Sequence, residues 1–416
     1  MTKLGDVIVQ PHQSPNDTFC ITSGGQPFTP VFELIAACCQ WPPSQSRNAA
    51  IRAAAGRVTD WDDFLSALKR QRVAGLVHSA LLLAEAPYPT AIASTLARRA
   101  RSITQRSLIL MAETLRLQAL FEAAYIPVLA LKGVALAQLA YGSVLAKEGR
   151  DIDLLVPPEY AEASLQLLED EGYALSSPTR FLNGAQRRNL ITYGKEIELR
   201  RKGPDLLVEL QWRTANNPQL LQGIDARSST QTVKLPDGSV RTLAPDDLFA
   251  YLSVHGAQHS WSRLKWLADV NALAAAEGTD LEHLYRHAER AGAGICAGQT
   301  LLLCKRILAL PLPSTLADKL LQDKRVRRLV NIGEAAITSP HAHTAADNRI
   351  GDVLRFLRTQ FLLGRGWGFY AEQCRIAAVG PIDVVRIPLP RPLHFLYPII
   401  RLPLWLFRRM GVMPRG

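Results

Sequence analysis

Two kinds of segment are missing from this sequence. Its 416 residues contain no run of about 18 uncharged apolar residues, the minimum that a transmembrane helix requires. The N-terminal segment MTKLGDVIVQPHQSPNDTFC has no apolar core of the signal-peptide type. We therefore expect a cytoplasmic protein.

Cysteine is too sparse for a disulfide framework. The chain has six cysteines, and none of them forms a Cys-x-x-Cys pair. Cys38 and Cys39 lie in the apolar run VFELIAACCQW, which is typical of helix packing rather than of redox chemistry. A structural zinc site is not expected.

Composition places the chain among ordinary globular proteins. Hydrophobic residues make up 48% and charged residues 20%, which excludes a disordered, collagen-like or coiled-coil chain. The net charge is +11, and the C-terminal residues 375–416 carry seven arginines and a single acid. Such a surplus attracts phosphate in a nucleotide, a nucleic acid or an anionic membrane, without choosing among them.

Pattern changes along the chain predict an α+β protein, in which a small mixed β-sheet core is flanked by N-terminal and C-terminal helical regions. A long helix is expected over about 89–124, and Asp60 is expected to cap an earlier helix. Two hairpins are expected, one turning at Gly203-Pro204 and one at Pro-Asp-Gly. The predicted segments are an irregular lead-in (1–29), a helical region (30–125), the α+β core (126–245), a second helical domain (246–375) and a basic, proline- and aromatic-rich tail (376–416).

The strongest chemical signal is the segment Asp151-Ile152-Asp153-Leu154-Leu155-Val156. Strand side chains alternate, so Asp151 and Asp153 extend from one face, where two carboxylates repel each other unless a cation lies between them. Glu209 is a third acid, isolated in the apolar strand DLLVELQW. Carboxylate oxygens suit Mg²⁺, and three such acids make a two-metal site feasible. The alternative is a solvent-facing acidic pair and an unrelated surface glutamate.

These motifs resemble the nucleotidyltransferase superfamily with the DNA polymerase β-like fold, and most closely the bacterial group described as uncharacterised nucleotidyltransferases. The matching segments are LALKGVALAQLAYG, RDIDLLV, EGY, VELQW and HGAQHSWSRLKWLADV, within residues 60–275. The resemblance implies a transfer of a nucleoside monophosphate from an NTP such as ATP to an acceptor, with Mg²⁺ or Mn²⁺ as cofactor. It also implies that Asp151 and Asp153 bind metal, while Glu209 either binds the catalytic metal or activates the acceptor hydroxyl.

The same resemblance assigns nucleotide-binding residues. Lys132 and Gly133 occupy the turn where relatives carry a Gly-Ser phosphate-binding turn, and Arg150 either orients a phosphate or pairs with Asp151. Gln211 stands where many relatives have histidine. These departures leave open an alternative, a weakly active or inactive relative that binds a nucleotide or a partner near the membrane.

The segment HGAQHSWSRLKWLADV predicts a helical lid over the cleft. His259, Arg263 and Lys265 are expected to face triphosphate or acceptor, while Trp261 and Trp266 are expected to pack on the catalytic sheet. A packed helix with a solvated basic edge is the alternative. His255 and His259 share a helix face, but no third ligand suggests a metal site there.

The tail allows two interpretations. Aromatic and aliphatic residues alternate with arginines over 391–409, a pattern that suits a peripheral contact with the anionic inner face of a membrane. The same pattern suits a strap over the protein's own apolar surface. No specific nucleic-acid partner is expected. Many relatives of the bacterial group are encoded near polysaccharide-synthesis functions, which suggests a link to polysaccharide biosynthesis.

Overall fold

The computed structural model describes residues 22–23, 26–177, 182–203, 205–339, 356–380, 384–385, 387 and 389–400. Within them the protein is α+β, as the sequence predicts, with a small mixed sheet among many helices.

The N-terminal part is helical after a short two-stranded ribbon. Side chains of Thr29, Ser44 and Asp60 accept hydrogen bonds from the first-turn N–H groups of the helices that follow them, which explains where those helices begin. The elements are β1 (Thr22–Ser23), β2 (Gln26–Pro27), α1 (Pro30–Cys39), α2 (Gln45–Ala55), α3 (Trp61–Gln71), α4 (Ala74–Leu83) and α5 (Thr90–Ala123). The long predicted helix is thus confirmed as α5.

A five-stranded mixed sheet follows α5. Its strands are β3 (Leu129–Ala130), β4 (Asp151–Leu155), β5 (Tyr173–Ser177), β6 (Glu196–Arg201) and β7 (Leu206–Gln211), in the order β3-β4-β7-β6-β5. β4 and β7 are parallel, and the other pairs are antiparallel. Three helices connect the strands: α6 (Gly133–Tyr141), α7 (Ala161–Asp170) and α8 (Gly184–Tyr193). The predicted hairpin is confirmed as β6–β7.

The second predicted hairpin and a second set of helices complete the described structure. β8 (Thr230–Leu235) pairs with β9 (Gly238–Leu243) across the Pro-Asp-Gly turn. The helices are α9 (Pro245–Gln258), α10 (Leu264–Ala274), α11 (Leu281–Arg290), α12 (Gly294–Leu308), α13 (Ser314–Gln322), α14 (Lys324–Thr338) and α15 (Trp367–Ala378).

Two apolar cores stabilise the protein. The larger core contains buried residues from both helical regions, so that Leu34 of α1 and Leu301 of α12 belong to one cluster. The smaller core lies between the sheet, α5, α7 and the β8–β9 hairpin, with Phe121 and Val208 among its members. The helices before and after the sheet therefore form one packed body along the cleft described below.

Tyr397 joins two parts of the described tail to each other. The Tyr397 hydroxyl donates to the carbonyl of Ile387 and accepts from the N–H of Leu389, both at 2.9 Å. Three apolar side chains of the same stretch are exposed: Leu393, Phe395 and Ile399. Residues 401–416, which hold much of the predicted membrane or strap motif, lie outside the described residues.

A helix that crosses a bilayer needs about 18 or more residues that are almost all apolar. None of the helices in the described ranges combines the length and the apolar composition that crossing a membrane requires.

Candidate active site

Three carboxylates align across the centre of the sheet. Asp153 on β4 is paired with Glu209 on the parallel strand β7, and Glu209 is paired in turn with Glu198 on β6. Residues opposite each other on adjacent strands are about 5 Å apart and extend from the same face. Asp151 precedes Asp153 by two residues and shares that face. The structure therefore brings together the three acids singled out in the sequence and adds Glu198.

Asp153 is buried in an ion pair. Its Oδ1 lies 2.7 Å from the Lys132 ammonium, and the two side chains are only 2% and 12% exposed. The Gln211 amide also donates to this oxygen at 3.4 Å, and Gln211 is itself held by the Tyr251 hydroxyl. Burial would raise the pKa of Asp153, but the charge of Lys132 outweighs it and lowers that pKa. Asp153 is therefore ionised and Lys132 charged.

The surroundings of Glu209 shift its pKa in the opposite direction from that of Asp153. Burial, followed by the charges of Asp153 and Asp151, raises the pKa of Glu209 to about 9. Like charges opposite each other on a sheet are destabilising, and a hard divalent cation with carboxylate ligands would relieve this repulsion. Within the described residues no group of three or more His, Cys, Asp or Glu side chains is arranged to hold a metal ion. The fit to a metal therefore rests on the adjacent carboxylates of Asp153 and Glu209, with Asp151 beside them.

Gly133 forms the turn from β3 into α6. Its φ is +62°, a backbone conformation that strains residues with a side chain. A Cβ at this position would make an ordinary van der Waals contact, 3.6 Å from the carbonyl oxygen of Asp151, so the backbone conformation alone favours glycine here. The first N–H groups of α6 consequently begin at the edge of the cleft beside the acids, where a helix N-terminus favours an anion.

A row of basic side chains faces the acids from α10 and from the segment before β4. The Lys147 ammonium lies 2.7 Å from Asp269, which also accepts a hydrogen bond from Tyr141 at 3.0 Å. Lys265, one turn before Asp269, has no ion-pair partner among the described residues. Burial and the nearby charge of Lys147 lower the pKa of Lys265 to about 8.

Three arginines surround the mouth of the cleft. Arg72, Arg150 and Arg263 line it, and within the described part of the chain none of them forms an ion pair. Burial, followed by the charges of the other arginines, lowers the pKa values of Arg72 and Arg263. Guanidinium groups that repel one another without a carboxylate partner form a site suited to a multiply charged anion.

The predicted helical lid is two helices rather than one. α9 ends at Gln258, Ser260 and Trp261 both have φ of 51°, and α10 begins at Leu264. Gly256 allows this break, because a Cβ there would lie 2.3 Å from the indole ring of Trp261. Trp261 is completely buried in the larger core, and a Cβ on Gly333 of α14 would lie 3.5 Å from its ring. Its packing on the catalytic sheet stays a prediction.

The break places an aromatic and basic wall along the cleft. His259, Arg263 and Lys265 all line it, as does Trp266. The Arg263 guanidinium lies 5.4 Å from the ring centre of Trp266, and the ring centres of His259 and Trp266 are 5.1 Å apart. Burial and the neighbouring charge of Lys132 lower the pKa of His255 far below its ordinary value, so this imidazole is neutral.

The cleft has a volume of about 420 Å³, within the usual range of small-molecule sites. The charged lining residues that the sequence analysis did not single out include Arg72, Glu148, Lys195, Glu196 and Glu198. Glu196 and Glu198 do carry a signal, because they alternate with apolar residues in the strand KEIELRRKG. Arg72 carries no such signal in the sequence. It follows α3 with a φ of 54° and reaches the cleft only through tertiary packing.

The part of the sequence that builds the cleft matches a known protein family. A family model described as "Uncharacterised nucleotidyltransferase" matches residues 57–309, a range that contains every residue named above as lining the cleft. No curated protein matches the chain significantly. The match covers more than half of the sequence, and the chain therefore belongs to the uncharacterised nucleotidyltransferase family.

Proposed function

We propose that this protein is a Mg²⁺-dependent nucleotidyltransferase that moves a nucleoside monophosphate from an NTP to an acceptor alcohol. The observation that carries the proposal is the alignment of Asp153 with Glu209 across β4 and β7, with Asp151 on the same face. Family membership supports nucleotidyl transfer in general terms.

The acidic residues would hold the metal. Asp151, Asp153 and Glu209 supply the hard oxygen ligands that Mg²⁺ or Mn²⁺ prefers. When bound, the cation would neutralise phosphate charge and align the reacting oxygens. Lys132 contributes a further positive charge at Asp153.

The basic mouth of the cleft would hold the triphosphate. Arg72, Arg150 and Arg263 have no carboxylate partners among the described residues, and Lys265 lies on the same wall. The start of α6 at Gly133 adds backbone N–H groups. His259 and Trp266 lie on this wall and are placed to contact the nucleotide.

The reaction forms one bond and breaks another. The acceptor hydroxyl oxygen bonds to the α-phosphorus, while the bond from the α-phosphorus to the oxygen bridging it to the β-phosphorus breaks. Pyrophosphate leaves with that bridging oxygen. Glu209 would be ionised once a cation offsets the charges of Asp153 and Asp151, and its carboxylate then accepts the hydroxyl proton. The arginines and Lys265 stabilise the negative charge that accumulates on the departing pyrophosphate.

The test is transfer of label from NTPs labelled at the α-phosphorus, incubated with the purified full chain, Mg²⁺ and a metabolite extract. We expect a labelled product with the wild-type protein and at least a hundredfold loss with Asp153→Asn or Glu209→Gln. Glu162→Gln on the exposed face of α7 is the matched control and should keep full activity. Undiminished transfer by both cleft variants would refute the site.

One observation favours a second candidate, a weakly active or inactive relative that binds nucleotide. Lys132 already matches the charge of Asp153, and the uncharged amide of Gln211 donates to the same carboxylate. Calorimetry with Mg²⁺ and each NTP separates the two candidates. Nucleotide binding that Arg72→Gln weakens, without product formation in any extract, would identify the binding protein.

A further inference from the structure

A second cleft of about 420 Å³ opens beside the catalytic cleft. The two clefts share Glu148, Gly149, Arg150 and Leu207 in their linings, so they adjoin along the segment that leads into β4. A molecule bound in the second cleft can therefore extend to the acids at the start of β4.

Four arginines line this second cleft against two carboxylates. α5 contributes Arg99 and Arg106, which lie seven residues apart on one helix face. Arg150 lies immediately before β4, and Arg200 lies on β6. The cleft consequently has a surplus of positive charge in addition to that of the catalytic cleft.

Neither carboxylate of the second cleft is tightly bound. Arg99 lies 3.7 Å from Glu148, and Arg200 lies 3.3 Å from Asp205, whose side chain is 74% exposed. The Arg200–Asp205 pair is exposed and contributes only about 0–1 kcal/mol, so an entering phosphate can replace Asp205 at small cost. Arg99 and Glu148 are 28% and 21% exposed, and their distance of 3.7 Å is longer.

The floor of the second cleft is held in place. Arg106 donates to the carbonyl oxygen of Arg150 at 3.0 Å and to that of Asp205 at 2.8 Å, which ties α5 to both the 148–150 segment and the β6–β7 turn. Gly149 lies so close to α5 that a Cβ would be 2.9 Å from Leu110. The guanidinium groups are therefore presented by a fixed backbone, which reduces the entropy lost on binding.

The register sets the position of the second cleft relative to the reacting centre. Asp151, Leu207 and Arg200 lie opposite one another on β4, β7 and β6. The backbones of Asp151 and Arg200 are therefore two strand spacings apart, which is about 10 Å. Gly133 and the start of α6 follow β3, on the other side of the acids. The acids thus lie between one phosphate-attracting site at α6 and another at Arg200.

We infer that the second cleft binds the acceptor, and that the acceptor is an alcohol carrying a phosphate monoester. This inference rests on the proposed function and names its second substrate. The acceptor's phosphate binds the guanidinium groups of Arg99 and Arg200, and its hydroxyl reaches the acids roughly 5–10 Å away. Guanidinium forks fit phosphate oxygens in pairs, which gives this class of acceptor its orientation.

The experiment measures phosphate binding by calorimetry on the full chain, with Mg²⁺ and α,β-methylene-ATP present to fill the catalytic cleft. Inorganic phosphate is the probe. The double variant Arg99→Gln, Arg200→Gln should raise its Kd at least tenfold. The control Arg98→Gln, Lys202→Gln removes the same charge from neighbouring exposed positions outside the cleft and should change the Kd less than twofold. Equal unfolding midpoints of the two double variants exclude a folding defect.

Several outcomes would overturn the inference: no phosphate binding by the wild-type chain, or equal weakening in both double variants. Competition by glycerol 3-phosphate indicates a soluble acceptor, and competition only by vesicles containing phosphatidic acid indicates a lipid; competition by neither overturns it. If phosphate binding depends on Arg99 and Arg200 but no nucleotide binds, then the proposed function fails and the anion site remains.

Discussion

The ammonium group of Lys132 lies 2.7 Å from the carboxylate of Asp153, at the point where β4 and β7 bring two acids side by side. This ion pair gives the acidic row a cation that belongs to the chain itself. It stabilises Asp153 in its ionised form and leaves Glu209 as the acid with the raised pKa.

Removing this internal cation should strengthen metal binding. In Lys132→Met, Asp153 loses its partner and a positive charge next to the metal ligands disappears. We expect Mn²⁺ to bind roughly tenfold more tightly, because each opposing charge removed nearby is worth on the order of 1 kcal/mol. Electron paramagnetic resonance of free Mn²⁺ measures the Kd. Lys69→Met, at an exposed position on α3, should leave it unchanged. A weaker Mn²⁺ affinity in Lys132→Met would contradict this account.

Lys265 should react as an amine at unusually low pH. Its pKa of about 8 means that half of the side chains are uncharged at that pH, whereas an ordinary lysine reaches this point near pH 10.4. Competitive acetylation between pH 6.5 and 10.5, followed by mass spectrometry of the peptides, gives the midpoint. Bound NTP should slow the reaction if the triphosphate lies on this wall. A midpoint near 10 would show that Lys265 is not desolvated.

Glu113 should stabilise the protein in a pH-dependent way. Its buried carboxylate accepts hydrogen bonds from Arg116 at 2.7 Å and from Tyr173 at 2.6 Å. Burial opposes the charge, but these donors outweigh burial and lower the pKa of Glu113. A lowered pKa in the folded protein adds stability that is present above the unfolded pKa near 4.3 and is lost as the pH falls through the folded value.

Glu113→Gln should therefore lower the free energy of unfolding at pH 7 by about 2–4 kcal/mol, because Arg116 and Tyr173 lose a charged partner. The loss should shrink as the pH falls below 4. Urea unfolding at several pH values measures it. Glu122→Gln, exposed on the same helix, should cost less than about 1 kcal/mol. A loss in Glu113→Gln that does not change with pH would rule out the carboxylate charge as its cause.

The tail should contribute to binding of anionic vesicles. Phe395 and Ile399 are 67% and 66% exposed, beside a C-terminal segment rich in arginine. Apolar side chains next to basic ones favour the interface of an anionic bilayer. Phe395→Glu with Ile399→Glu should reduce flotation with phosphatidylglycerol vesicles several-fold. Leu82→Glu with Leu83→Glu, at exposed apolar positions of α4, is the control. Equal flotation of both variants and the wild type would remove the membrane interpretation.

Local patterns in the sequence were enough to find the acids. Alternation of charged and apolar residues placed Asp151 and Asp153 on one strand face, and the lone acid Glu209 stood out in an apolar strand. Both are short-range signals with a period of two residues. The parallel register that puts Asp153 beside Glu209 is a tertiary property, and here it agrees with the expectation.

Residues that reach the cleft from distant elements could not be found in this way. Arg72 ends a helix far from the sheet in sequence, and nothing in its neighbourhood marks it as a ligand-binding residue. The break between α9 and α10 escaped prediction because the apolar spacing continues through it. Only packing shows that Trp261 fills the space above Gly256 and so turns the chain.

The shared core of the two helical regions has a consequence for synthesis of the chain. Leu34 and Leu301 are buried in the same cluster although more than half of the polypeptide separates them. Helices α1–α4 can pack on one another as they emerge from the ribosome, but the part of α1 that contacts α12 stays uncovered until α12 is made. The larger core should therefore be completed only late in translation.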